Sequence, residues 1–143
     1  TASLLTDRMR GIGGSAYVSV NKALVTRASA VIPVVPLYIA LLYQVMKEKG
    51  LHEDCTRQMY RLFIDRLYAG PAVPVDDEGR IRLDDWEMRT DVQEEVDRRW
   101  NMQREGEQMI GGDLAGFKEE YDHIHGFGYS SIDYERDVDP RSI

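Results

Sequence analysis

Cysteine is almost missing from this chain: Cys55 is the only one in 143 residues. A single thiol excludes an internal disulfide and any cysteine-based zinc cluster, and such scarcity favours a reducing, cytoplasmic setting. There is no run of lysine and arginine, and the net charge is −7. Long-range electrostatics therefore oppose nucleic-acid binding. The opening TASLLTDRMRGIGG lacks the basic segment followed by an apolar stretch that marks a secretory signal. It also lacks an initiator Met, which sets the expectation of a chain processed, trimmed or excerpted from something longer. Internal repeats and low-complexity tracts are absent too. What remains, 43% hydrophobic and 30% charged residues, is the balance of a packed domain or part of one.

The most apolar stretch, VIPVVPLYIALLYQVMKEKG from Val31 to Gly50, approaches the length of a membrane span without reaching it. Pro33 and Pro36 interrupt its first half, each removing a backbone donor. The uninterrupted helix predicted from Pro36 to Lys49 would rise only ~21 Å, against the ~30 Å of a hydrocarbon layer. Core helix or pocket wall are the readings left.

Around it the pattern predicts a helix tail over Ser3–Arg10, closed by glycines, and a short strand over Ala16–Val20. His52–Tyr68 is predicted as an amphipathic helix burying Cys55, Met59, Leu62, Phe63 and Leu67. GPAVPVDDEGRIRLDD reads as two extended pieces about an Asp-Glu-Gly turn, a small hairpin. A charged helix is predicted over Asp85–Arg104, with Trp86, Val92, Val96 and Trp100 as its buried stripe. Asp113 caps a last helix reaching His125 and stopping at Gly126. GYSSIDYERDV is predicted as a final strand, with a frayed DPRSI tail.

Several motifs resolve into ordinary structure. The glycines of GIGGS precede the strand, whereas a dinucleotide fingerprint follows one. His123 and His125 point in different directions on a helix end, and no regular His–acid spacing supports a metal. His52 with Cys55 is a nucleophile-and-base spacing, but Cys55 lies on the predicted apolar stripe and reads as structural. NKALVTRAS is the loop of interest. Loops beyond the carboxyl end of a strand bind ligands in open α/β sheets, and this one's backbone groups and Thr26 hydroxyl can bond a planar amide. An ordinary connection between strand and helix is the competing reading.

VSVNKALVTRASAVIPVVPLYIALLYQVMKEKGLHEDC, followed by QMYRLFIDRLY, RIRLDDWEMRTDVQ, DLAGFKEEY and GFGYSSIDYERDV, resembles very closely the single-chain, NADH-dependent trans-2-enoyl-CoA and enoyl-acyl carrier protein reductases. The likeness runs from Ala16 onward and corresponds to the carboxyl-terminal third of those longer proteins. It implies an α/β fold: the carboxyl-terminal part of a Rossmann-type, short-chain-dehydrogenase-like domain, mostly helical here with one or two strands. It implies a strand and nicotinamide loop over 16–29, acyl-pocket and lid helices over 30–70, a charged helical region over 84–125, and a terminal strand and tail over 126–143.

By the same resemblance, Leu24, Val25 and Thr26 contact the nicotinamide end of NADH, while Val35, Tyr43 and Phe117 line the acyl site. Tyr43 stands where relatives often carry Phe, and Asp54 where they commonly carry Gly. The family's catalytic Tyr-x8-Lys pair has no counterpart here, so the implied partners are a 2-enoyl thioester, on coenzyme A or acyl carrier protein, and the amino-terminal remainder of the reductase. A non-catalytic helical module that binds acyl thioesters is the alternative.

Overall fold

A computed structural model describes residues 2–137, 139 and 141. Its order is α1 (Ala2–Met9), β1 (Val18–Val20), α2 (Val35–Glu48), α3 (Cys55–Arg61, continued by wider π-helical turns over Leu62–Leu67), β2 (Arg80–Arg82), α4 (Thr90–Trp100) and α5 (Leu114–Ile124). The two strands form a parallel pair, Val18 opposite Arg80 and Val20 opposite Arg82. Parallel strands cannot be joined by a tight turn. The connection here carries α2 and α3.

α2 is the centre of the molecule. Ile39 to Tyr43, Val45 and Met46 are all buried, as expected for a helix that is apolar around its whole circumference. One side, Leu41, Leu42, Val45 and Met46, packs against Val92 and Val96 of α4, with Trp86 and Trp100 flanking. Another side, Ile39 and Tyr43, packs against Val25 and Phe117. Pro36 occupies the first turn, and Val34 ahead of it takes a left-handed conformation, φ 64°. The helix ends as its sequence dictates. Gly50 turns left-handed at φ 68°, Leu51 N–H bonds Met46 O at 2.8 Å, and Gly50 N–H bonds Lys47 O at 3.1 Å, a closed C-terminal motif. Among the described residues, no helix is long and apolar enough to cross a membrane.

Five expectations need correction. α3 starts later than His52, because the Asp54 side chain accepts the Arg57 N–H at 2.7 Å and caps it. It also buries the opposite face: Glu53, Gln58 and Arg61 are inside, while Cys55, Tyr60, Phe63 and Ile64 are exposed. The reason is an ion network. Arg61 bonds Glu53 at 2.7 Å, Asp85 at 2.7 Å and Leu83 O at 2.6 Å, and lies 4.3 Å from the Trp86 ring centre.

Asp85–Met88 is turn rather than helix, since Asp85 is held by Arg61 and Arg66 and Glu87 is committed elsewhere. The expected hairpin is a tight Asp76–Gly79 turn leading into β2, whose strand partner is β1. Gly128–Asp137 forms turns and irregular backbone, with Tyr134 Oη bonding Gly126 O and accepting the Tyr129 N–H. Val138, the last residue of that expected strand, lies outside the described residues, as does most of the DPRSI tail.

Candidate functional site

β1 delivers the chain into an irregular loop whose backbone donors are taken by side chains from three other segments. Lys22 N–H donates to Gln58 Oε1 of α3 at 2.9 Å, and Ala23 N–H to Glu87 Oε2 at 2.7 Å. Val25 N–H donates to the Tyr43 hydroxyl of α2 at 3.2 Å. Thr26 N–H donates to Ser29 Oγ at 2.7 Å, and Thr26 Oγ1 accepts the Ser29 N–H at 3.0 Å. The Thr26 hydroxyl thus serves its own turn. Leu24 N–H is passed over. It and the Val25 carbonyl have no hydrogen-bond partner among the described residues.

That free donor and acceptor belong to two residues lining an open cleft of about 600 Å³. Leu24, Val25, Thr26 and Arg27 form one wall. Asp54, Cys55 and Thr56 at the start of α3, with Glu120, His123, Ile124 and Tyr129, form the rest. A primary carboxamide offers one acceptor oxygen and two donor hydrogens, the complement of what Leu24 and Val25 leave unpaired.

The apolar candidates gather behind this loop rather than in the cleft. Val25, Ile39 and Tyr43 form a buried cluster, with Val35 and Phe117 half-buried against it. Val35 also borders a separate groove with Tyr38, Val96 and Trp100. Tyr43 has no exposed surface at all. Its hydroxyl accepts from Val25 N–H and donates to Glu120 Oε2 at 2.5 Å. Its ring meets His52 edge-on at 4.6 Å and carries the Lys22 ammonium 4.3 Å from its centre. Tyr43 therefore braces the loop from behind.

The electrostatics follow from this packing. Burial, then the hydrogen bond to Glu120, push the Tyr43 hydroxyl well above its ordinary range, so it stays protonated and donating. Burial alone would raise the Glu120 carboxyl; hydrogen bonds with His52 and Tyr43, and the charge of Lys22, outweigh it and hold the group below its ordinary range. Lys22, 2% exposed, is pushed down to about 8 by burial, against the pull of Glu120, Glu87, Glu53 and Asp54. Tyr38 donates to the other oxygen of Glu87 at 2.6 Å, tying the Ala23 contact back to α2.

Sequence reasoning missed Lys22, Gln58, Glu87 and Glu120. Lys22 directly after a strand carried a signal, being a lysine in an otherwise apolar or small run; the three acceptors look like any solvated face. His123 stacks on Tyr129 at 4.4 Å, and His125 Nδ1 contacts Tyr121 O at 2.8 Å. Those two histidines stabilise the end of α5.

Comparison with known proteins accounts for nearly the whole chain. Residues 1–68 match the family model described as trans-2-enoyl-CoA reductase catalytic region, and residues 75–138 that described as enoyl reductase FAD binding domain. The enoyl-[acyl-carrier-protein] reductase [NADH] of Flavobacterium johnsoniae is 54% identical over 138 residues, which is 96% of this chain and 35% of that protein. Its counterpart in Coxiella burnetii is 56% identical over 134 residues, 94% of this chain and 33% of that protein. The crystal structure of Clostridium acetobutulicum trans-2-enoyl-CoA reductase in complex with NAD superposes with a TM-score of 0.86 at 47% identity, over 96% of this chain and 36% of that one. That of Treponema denticola trans-2-enoyl-CoA reductase with NAD gives 0.79 at 46% identity, over 94% and 35%. The chain spans about a third of the length of the relatives it matches.

The flavin in the second description does not fit these residues. Residues 75–138 hold 19 acidic against 8 basic side chains. Arg80, Arg82, Arg89, Arg98, Arg99 and Lys118 are each already ion-paired within the chain. A flavin dinucleotide would set its diphosphate against that field. By sequence along nearly all its length, and by fold, this chain matches about a third of the trans-2-enoyl-CoA and enoyl-[acyl-carrier-protein] reductases.

Proposed function

We propose that this chain forms part of an NADH-dependent reductase of the C2=C3 bond of trans-2-enoyl thioesters, acting in fatty acid synthesis. The Leu24 N–H and the Val25 carbonyl, without a hydrogen-bond partner among the described residues and belonging to two neighbours that line the cleft, carry this reading. They give a bound nicotinamide carboxamide one donor and one acceptor, which fixes the face of the ring. When bound, NADH supplies the hydride that adds to C3 of the enoyl thioester, leaving an enolate that takes a proton at C2. Leu24, Val25 and Thr26 hold the cofactor's amide end. Val35 and Phe117 offer apolar surface to the acyl chain, with Tyr43 beneath them as packing rather than as a contact. The proton donor comes from the amino-terminal remainder of the reductase.

The parallel pair β1–β2 supports membership of a larger Rossmann-type sheet, since two strands of three residues are marginal alone. The exposed Tyr60, Phe63, Ile64 and Tyr68 on one flank of α3 support it too, because a contiguous apolar face in water marks a surface meant for covering. We assign four regions: strand and cofactor loop 16–29, pocket helices 30–70, charged helical region 84–125, and terminal segment 126–143. The function is cytoplasmic, in keeping with one cysteine and it exposed.

The test mixes the purified chain with NADH and crotonyl-CoA. NADH absorbance stays flat with the chain alone and falls when the amino-terminal remainder is supplied. Turnover by the chain alone, or none by the complete reductase, overturns the proposal.

A further inference from the structure

We propose that Tyr43 and Glu120 are a positioning pair for the cofactor loop, the Tyr43 hydroxyl fixing Val25 and Glu120 fixing the hydroxyl. This rests on reading residues 24–26 as the nicotinamide contact. It departs from assigning Tyr43 to the acyl site.

The hydroxyl lies where α2, α5 and the loop meet. It accepts the Val25 N–H at 3.2 Å and donates to Glu120 Oε2 at 2.5 Å, so both its roles are used at once. Glu120 is held in turn, its Oε1 lying 3.6 Å from His52 Nε2. The ring cannot swing away. His52 abuts it at 4.6 Å, Lys22 covers it at 4.3 Å, and no part of Tyr43 reaches solvent. The peptide being fixed is decisive. Val25 supplies the unpaired carbonyl of the proposed carboxamide contact, and its N–H leads directly back to Leu24. Of the residues that hold the loop, Tyr43 alone binds Val25, and Glu120 itself lines the cleft. Phenylalanine at position 43 would keep the packing but leave Val25 N–H and one Glu120 oxygen unpaired.

The complete reductase is compared with its Tyr43→Phe, Glu120→Ala and Glu120→Gln variants. Steady-state kinetics are followed separately in NADH and in crotonyl-CoA, and NADH affinity is also measured by fluorescence without the second substrate. Tyr43→Phe and Glu120→Ala should each weaken NADH binding and raise its KM about tenfold, the scale of one lost buried hydrogen bond with its partner stranded. The KM for crotonyl-CoA should be unchanged. Glu120→Gln keeps an acceptor oxygen for Tyr43 and should recover most of what Glu120→Ala loses.

A Tyr43→Phe variant with altered crotonyl-CoA KM and normal NADH affinity returns Tyr43 to the acyl site and overturns the proposal. So does a variant less stable to heat but kinetically normal, which marks a purely structural residue. If Tyr43→Phe does not fold, normal NADH affinity in Glu120→Ala is sufficient refutation. An inactive wild-type reductase sinks the enzymatic reading as well, whereas an active one with unaltered variants sinks only the positioning pair.

Discussion

Replacing Arg61 by methionine is the sharpest probe of how the polar face of α3 is held in place. Arg61 is 6% exposed, and its principal partner Glu53 is 2% exposed. Arg61→Met leaves the length of the stem but removes the hydrogen bonds to Glu53, Asp85 and the Leu83 carbonyl. Glu53, itself buried, is then left without its guanidinium partner. Stranding one member of a buried pair costs ~3–5 kcal/mol, far above the ~1 kcal/mol ceiling for an exposed pair. Equilibrium urea denaturation of the complete reductase reads this as a lower midpoint. Adding Glu53→Gln removes the stranded acid, so the double variant should be more stable than the sum of the singles by about 2 kcal/mol. Additivity within ~0.5 kcal/mol would refute the coupling on which the buried polar face of α3 depends.

Other outcomes follow from single features. Lys22 titrates near 8 when folded against 10.5 in the unfolded chain. Between those values the unfolded state binds more protons, so stability rises with pH across that window, and the cost is fully present below it. The full swing is about 3 kcal/mol; between pH 8 and 10.5 the stability of wild type relative to Lys22→Met, read from urea midpoints, should rise on that scale, and parallel curves would disprove it. Asp54→Ala removes the side chain that caps α3 and should cost about 1 kcal/mol in the same assay. Val34 holds a left-handed φ of 64° while exposed. Val34→Gly should be at least as stable as wild type, the relief of ~1–3 kcal/mol of backbone strain offsetting the entropy of glycine; a clear loss of thermal stability would contradict this.

Where one residue's chemistry settles the local outcome, the sequence was legible. Pro36 and Gly50 bracket α2, and Asp113 and Gly126 bracket α5, within a residue or so of where the structure has them. The α4 stripe of Val92 and Val96 is buried as its spacing requires. The failures share one physical origin. An amphipathic pattern assumes that apolar residues face inward, yet α3 turns its polar side in, because Arg61 and Glu53 satisfy each other and Gln58 takes the Lys22 N–H. Such pairings join positions far apart in the chain. The candidate site divided the same way. Resemblance supplied Leu24, Val25 and Thr26, whereas the buried acceptors that shape their backbone came only from three dimensions.

The parallel pairing of β1 with β2 has a kinetic consequence. Its partners lie roughly sixty positions apart, and such distant contacts mature late, after local helices and their packing have closed the intervening loop. Glu87, which fastens Ala23, lies just beyond the second strand. The loop after β1 is thus among the last parts to reach its native form, and substitutions that delay strand registration will disturb the proposed nicotinamide contact before they erode the helical core.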